Sequence, residues 1–192
     1  MARLVGGLMW GSQIGRMFHL MDEGVRCKPG EVILDVPCGG APVLRSAPGR
    51  MLGTYIGLDL SLPMLRRAEV VREDEELDGV VLARADITAL PVADRSVDRV
   101  LCFNGLHVIP DKDAALREFR RVLKPGGEVW GSVVVADASL AGLLTRPWGT
   151  RSWWFFHPGN PAELAAAAER AGLDWEPEVS GSMMLFKATR LA

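Results

Sequence analysis

The strongest constraint on this chain is an alternation that begins at Glu31. Short apolar runs exchange with helical stretches, again and again. The runs predict strands over 31–35, 54–59, 79–84, 97–102 and 127–135. Helices are expected near 41–47, 62–73 and 111–123. Each strand is almost continuously apolar rather than alternating. That is the pattern of a parallel sheet with helices packed on both faces. In the third helix Asp111 is the expected N-cap, with Ala115, Leu116, Phe119, Val122 and Leu123 on one face.

The stretch "NPAELAAAAERAGL" carries both a start and a stop. Asn160 caps, Pro161 takes the first helical position, Glu163 closes a capping box and Gly172 ends the helix. Two strands near 174–179 and 183–190 follow, joined through Gly181 and Ser182 as an antiparallel hairpin. At the other end, Trp10, Ile14, Met17 and Met21 fall on one face of an amphipathic helix, and His19 points toward solvent. Glycines 6, 7, 11 and 15 weaken that helix.

Composition narrows the class. The 192 residues suffice for one domain with a full core. A net charge of −2 and the lack of a basic stripe argue against nucleic acid as a partner. Cys27, Cys38 and Cys102 show no metal-ligand or disulfide spacing, so no metal site is expected and a reducing compartment is. No run is long and apolar enough for a membrane span, and polar residues interrupt the first 23 positions. The reading is a cytoplasmic protein acting on a small molecule, with no membrane partner.

In an open α/β sheet, ligands bind beyond the carboxyl ends of the strands. The predicted strand ends carry Asp35 with "PCGGA", Asp59 in "GLDLS", Asp86 in "RADI", and Asn104 and His107 in "CFNGLH". Asp59 lies 20 residues beyond Gly39, a spacing that suits a carboxylate accepting from ribose hydroxyls. Asp86 could receive an adenine amino group while Ile87 covers the ring, or it could simply cap the turn "DITALP". Cys38 has no adjoining basic residue to activate it as a nucleophile.

Five segments, "VILDVPCGG", "GLDLSLPML", "ARADITALPV", "VDRVLCFNGLHVI" and "LREFRRVLKPGGEVW", occur in one order and spacing. Together they resemble the class I S-adenosylmethionine-dependent methyltransferases over roughly residues 30–136. The resemblance implies a Rossmann-like three-layer α/β sandwich. Its sheet is seven-stranded and mostly parallel, in the order 3-2-1-4-5-7-6 with strand 7 antiparallel. The cofactor it implies is S-adenosyl-L-methionine, with S-adenosyl-L-homocysteine as product. Asp35 and the loop Pro37, Cys38, Gly39 and Gly40 would hold the methionine part. Asp59 would take the ribose, Leu60 and Met64 the adenine face, and Asp86 and Ile87 the adenine edge. Asn104 and Gly105 would lie near the transferred methyl, while "LKPGG" looks like the turn into strand five.

The loop departs from the family pattern, with Pro37 and Ala41 where the first and third glycines stand. A dinucleotide needs those glycines so that a pyrophosphate can approach backbone amides. A methyl donor without phosphate is less demanding, so the substitutions weigh more against a nicotinamide dinucleotide than against S-adenosylmethionine. The expected layout is one domain: a helical cap over 1–28, a cofactor core over 29–136, a lid or acceptor connection over 137–160, and a C-terminal helix and hairpin over 161–192.

The expected activity is in-line methyl transfer to a small apolar or aromatic acceptor. His107 is the candidate base and His157 the weaker one. Trp10, Met17, His107, Trp154 and His157 are candidate pocket walls. Trp148, Trp153, Trp154, Phe155 and Phe156 crowd a connection that reads as lid, core or homodimer interface. The alternative is a non-catalytic domain of the same fold that binds the cofactor or scaffolds a partner.

Overall fold

The structure is a computed structural model, and it describes residues 13–46, 53–135, 160–180 and 183–191. The chain order is α1 (Gln13–Gly24), β1 (Val32–Asp35), a 3-10 turn (Pro42–Ser46), β2 (Thr54–Asp59), α2 (Leu62–Asp74), β3 (Val80–Arg84), β4 (Val97–Phe103), a short 3-10 turn (Leu106–Val108), α3 (Lys112–Val122), β5 (Leu123–Val134), α4 (Pro161–Arg170), β6 (Leu173–Ser180) and β7 (Met183–Arg190). These strands form one seven-stranded sheet in the order β3-β2-β1-β4-β5-β7-β6. β7 runs antiparallel to both β5 and β6, and the other pairs are parallel. Fold class and strand order are those expected.

The central strands are buried because both faces are covered, while the edge strand β3 is only partly so. On one face α3 and α4 bring Leu116, Phe119, Leu164 and Ala168 onto Val100, Val129 and Phe186. On the other, α1, α2 and the first 3-10 turn bring Met21, Val43, Ala68 and Val71 onto Ile33, Tyr55 and Leu101. Each large side chain so buried contributes about 1.5–3 kcal/mol. Asp111 caps α3 as expected, its carboxylate accepting from the Ala114 amide at 2.8 Å. At the other end of α3, Arg190 donates to the carbonyls of Arg120, Arg121 and Leu123. This staples β7 to the helix. α1 is anchored by Arg99, which donates to Gly24 O and Arg26 O at 3.1 Å and stacks over Trp130.

Four expectations need correction. "LKPGG" is not simply a turn: β5 already begins at Leu123, which pairs with Val97, and Glu128 resumes the ladder opposite Arg99. The Pro-Gly-Gly residues are the irregularity between these pairings, since proline cannot donate to the ladder. Leu123 therefore belongs to the strand rather than to the helix. The helix near 41–47 is a 3-10 turn over Pro42–Ser46. At α4, Asn160 caps as expected, accepting from the Ala162 amide at 2.9 Å, but Glu163 does not close a capping box: it accepts from the Asn160 side-chain amide rather than from the Asn160 backbone N–H.

The β6–β7 pairing closes Ser180 against Met183, as a two-residue hairpin requires. Gly181 and Ser182 themselves lie outside the described residues. β6 ends the sheet and carries Pro177 with Asp174, Glu176 and Glu178, residues that discourage a further strand from adding there.

Candidate functional site

β2, β1 and β4 are neighbours, so their carboxyl ends meet at one edge. Asp35 closes β1 and is 2% exposed. Tyr55 sits on β2 opposite Ile33. Its phenol reaches along the sheet and donates to Asp35 Oδ2 at 2.5 Å. Burial pushes the Asp35 carboxyl up to about 7, against the pull of the Tyr55 hydrogen bond, and the charge of Asp59 adds to the rise.

Asp59 closes β2 and ties two segments together. Its Oδ2 accepts from Gly39 N and its Oδ1 from Ser61 N, both at 2.8 Å. Cys38 N adds a bond to Leu58 O at 2.8 Å. The loop after β1 is thus stitched to the tip of β2 and to the start of α2. Gly39 has φ +55°, and a Cβ placed there would meet nothing within 4 Å. The loop presents bare backbone with open space above it. Cys38 is buried, and burial, with Asp35 and Asp59 nearby, raises its thiol far above the ordinary range. It is not a thiolate nucleophile.

Further along the edge, exposed Asp86 accepts from Thr88 N at 2.8 Å and Thr88 Oγ1 at 2.7 Å. These bonds hold its carboxyl below the usual range. Ile87 is 5% exposed within the core, Met64 is half-buried, and Leu60 is 56% exposed. Leu60 O accepts from Arg84 Nε at 2.9 Å.

On the other side of β1, Asn104 and Gly105 turn the chain away from β4. A Cβ on Gly105 would stand 2.4 Å from Pro37 Cδ, so the two tip loops pack directly on each other. Asn104 lines a cavity of 180 Å³ with Ile14, Met17 and Met183. Met17 and Asn104, assigned from sequence to acceptor and cofactor, are therefore brought together. His107 is 5% exposed in the following 3-10 turn. Burial, then the Lys112 charge, lowers its imidazole pKa, so it is neutral at pH 7.

Trp10, Trp154 and His157, with the rest of the aromatic connection, lie outside the described residues. A larger groove of 740 Å³ between α1 and the β6–β7 hairpin is lined by Arg16, His19, Glu178 and Lys187, among others. It holds none of the strand-tip residues.

Sequence reasoning missed three contributors: Tyr55 as partner of Asp35, Ser132 behind Asn104, and Met183. A signal existed for the first. A sole tyrosine inside an apolar strand must find a partner for its hydroxyl. Nothing local marks Ser132 or Met183, which arrive from β5 and β7.

Comparison with known proteins accords with this geometry. Ubiquinone biosynthesis O-methyltransferase of Cupriavidus pinatubonensis is 30% identical over 165 residues, covering 79% of this chain and 64% of that protein. Demethylmenaquinone methyltransferase of Oceanobacillus iheyensis is 39% identical over 103 residues, covering 52% and 43%. The chain thus spans less than two thirds of these relatives. Among solved structures, the YcgJ protein of Bacillus subtilis superposes with a TM-score of 0.78 at 15% identity, covering 93% of this chain and 99% of that one. At that identity the likeness shows the fold alone. A family described as a methyltransferase domain matches residues 34–131, about half of the chain and all four tips from β1 to β4. With strand order and tip chemistry in agreement, the chain belongs to the class I S-adenosylmethionine-dependent methyltransferases.

Proposed function

We propose that this chain transfers a methyl group from S-adenosylmethionine to a small apolar or aromatic acceptor. The observation that carries this reading is the Asp59 clamp. Each of its carboxylate oxygens accepts one backbone amide at 2.8 Å and retains a lone pair. An acceptor-only group at that place suits a ribose diol, which brings donors. The open backbone face at Gly39 suits close approach by the rest of the molecule. Asp35, at about 7, is poised to ionise when a cation arrives. The residues present therefore fit the cofactor. Asp35, Asp59 and the Pro37–Gly40 loop would hold it, with Leu60, Met64, Asp86 and Ile87 toward the adenine and Asn104 and Gly105 toward the methyl.

When bound, the sulfonium supplies an already activated methyl group. The chain's own residues then have to align the acceptor and exclude water, which can provide most of the acceleration. The apolar wall of Ile14, Met17 and Met183 serves the second task. Neutral His107 has the protonation state of a general base, and that role applies only to an acceptor that must lose a proton. The named activities of the two relatives support a small-molecule acceptor. No helix among the described residues is long and apolar enough to cross a membrane.

One observation favours the second reading, a non-catalytic domain. The acids at the tips are held by the chain's own amides and hydroxyls, so the edge keeps its shape unaided. Calorimetric titration with S-adenosylhomocysteine, followed by a methyl-transfer assay on apolar acceptors, separates the two. Methyl transfer requires binding near one equivalent, with about 2.7 kcal/mol of added stability at 100 times the dissociation constant. A folded protein that takes up none of it is a scaffold, and one that binds it but methylates no acceptor is a non-catalytic cofactor domain.

A further inference from the structure

Ser132 lies on β5 beside the tip of β4 and is fully buried. Its Oγ accepts from the Asn104 backbone amide at 3.1 Å and donates to Asn104 Oδ1 at 3.1 Å. One hydroxyl thus uses its hydrogen and one lone pair on the same residue. The network favours this orientation of the carboxamide. Reversed, the buried Ser132 hydroxyl would accept twice and its hydrogen would find no acceptor on Asn104, while Asn104 Oδ1 would face the lone pairs of the Met17 sulfur. As placed, Asn104 Nδ2 approaches Met17 Sδ at 3.5 Å. A thioether is a weak acceptor, readily displaced by an oxygen. Asn104 is exposed, so this amide is accessible. Every other residue lining the 180 Å³ cavity, Ile14, Met17 and Met183, is apolar. An apolar cavity of about 150 Å³ accommodates benzene, so this one has room for a single ring.

We propose that Ser132 and Asn104 form the polar specificity element of the acceptor pocket, with Ser132 positioning the Asn104 amide to donate to an oxygen carried by a single-ring apolar acceptor. The assignment of this cavity to the acceptor rests on the methyl-transfer reading. Asn104 N also bonds to Ser132 O at 2.9 Å. The backbone link therefore survives removal of the hydroxyl, and the two contributions can be separated.

The test uses acetophenone and ethylbenzene, one ring each, with and without a carbonyl. The chain has only two asparagines, Asn104 and Asn160, and one glutamine, Gln13, so its side-chain amide NMR spectrum is simple. Both compounds are titrated into the full chain, with and without S-adenosylhomocysteine. Acetophenone is expected to shift the Asn104 amide pair saturably and to bind roughly five- to tenfold more tightly than ethylbenzene. Ser132→Ala should reduce that preference to near parity while S-adenosylhomocysteine affinity stays unchanged, a split that a general structural role would not produce. Asn104→Asp, which keeps the shape but loses the donor, should abolish the preference even if Ser132→Ala folds poorly. Equal affinities, absent binding of acetophenone, an unmoved Asn104 amide pair, or an unchanged preference in Ser132→Ala would each overturn the proposal. Failure of S-adenosylhomocysteine to bind bears on the methyl-transfer reading alone, because the preference is read without it as well.

Discussion

The loop after β1 and the loop after β4 solve the same problem in different ways. Each turns the chain away from a buried strand tip through a non-glycine residue with positive φ, Ala41 at +49° and Asn104 at +52°. Asparagine tolerates that region because its side chain bonds locally, and here Ser132 accommodates the amide. Alanine has no such help. Its loop is held from outside instead, by Asp59 on Gly39 and by Leu58 O on Cys38. The β4 loop supports itself from its neighbouring strand, whereas the β1 loop depends on a side chain from β2 that also belongs to the candidate cofactor site. Strain in the first loop is thereby coupled to the candidate cofactor site through Asp59, and strain in the second to the neighbouring cavity through Asn104 itself.

The largest expected effect comes from the point where the loops touch. Gly105→Ala sets a methyl group 2.4 Å from Pro37 Cδ and 2.9 Å from Cys102 Sγ. Both are rigidly held, so the loss should reach about 3–4 kcal/mol, read as a lower urea midpoint. A midpoint within experimental error of the parent would show that the loops are not mutually braced.

Next in size is a pH effect at Asp35. An unfolded aspartate titrates near 3.9, and this one is raised to about 7. Below pH about 4 both states are protonated. As pH rises from about 4 to 7 the unfolded state ionises first, so stability falls, by something on the order of 3 kcal/mol. Asp35→Asn should flatten that decline in denaturation curves taken across the window. A parallel slope in parent and variant would show that Asp35 is an ordinary carboxylate.

Asp59→Ala removes the clamp. S-adenosylhomocysteine affinity should drop about thirtyfold, equivalent to about 2 kcal/mol, and folding stability should fall with it. Loss of stability with undiminished affinity would separate the clamp from the ligand. The smallest effect sharpens the contrast between the loops. Ala41→Gly relieves a left-handed alanine but gives up its buried methyl, so it should change the stability by only a few tenths of a kcal/mol, whereas Asn104→Gly leaves the buried Ser132 hydroxyl without its acceptor and should destabilise the fold by about 1 kcal/mol. Equal changes at both positions would erase the distinction.

Much of this was legible in the chain because it is local. Continuous apolar runs place β1 to β4, and the Asp111 cap is visible from its own neighbourhood. The Asp86–Thr88 turn likewise spans only two residues. Legibility ended where a partner comes from another strand. Tyr55 and Asp35 are 20 residues apart, and Ser132 and Asn104 are 28 apart. Neither pair has a spacing that differs from chance until the register of the sheet is known. Met183 reaches the cavity only because β7 inserts antiparallel beside β5. The sequence alone determined the elements, their order and the acids at the strand ends, since apolar period and turn chemistry act over a few residues. Tertiary structure decided which polar groups answer one another at those ends. Burial demands a partner for each of them, and packing alone selects which partner is within reach.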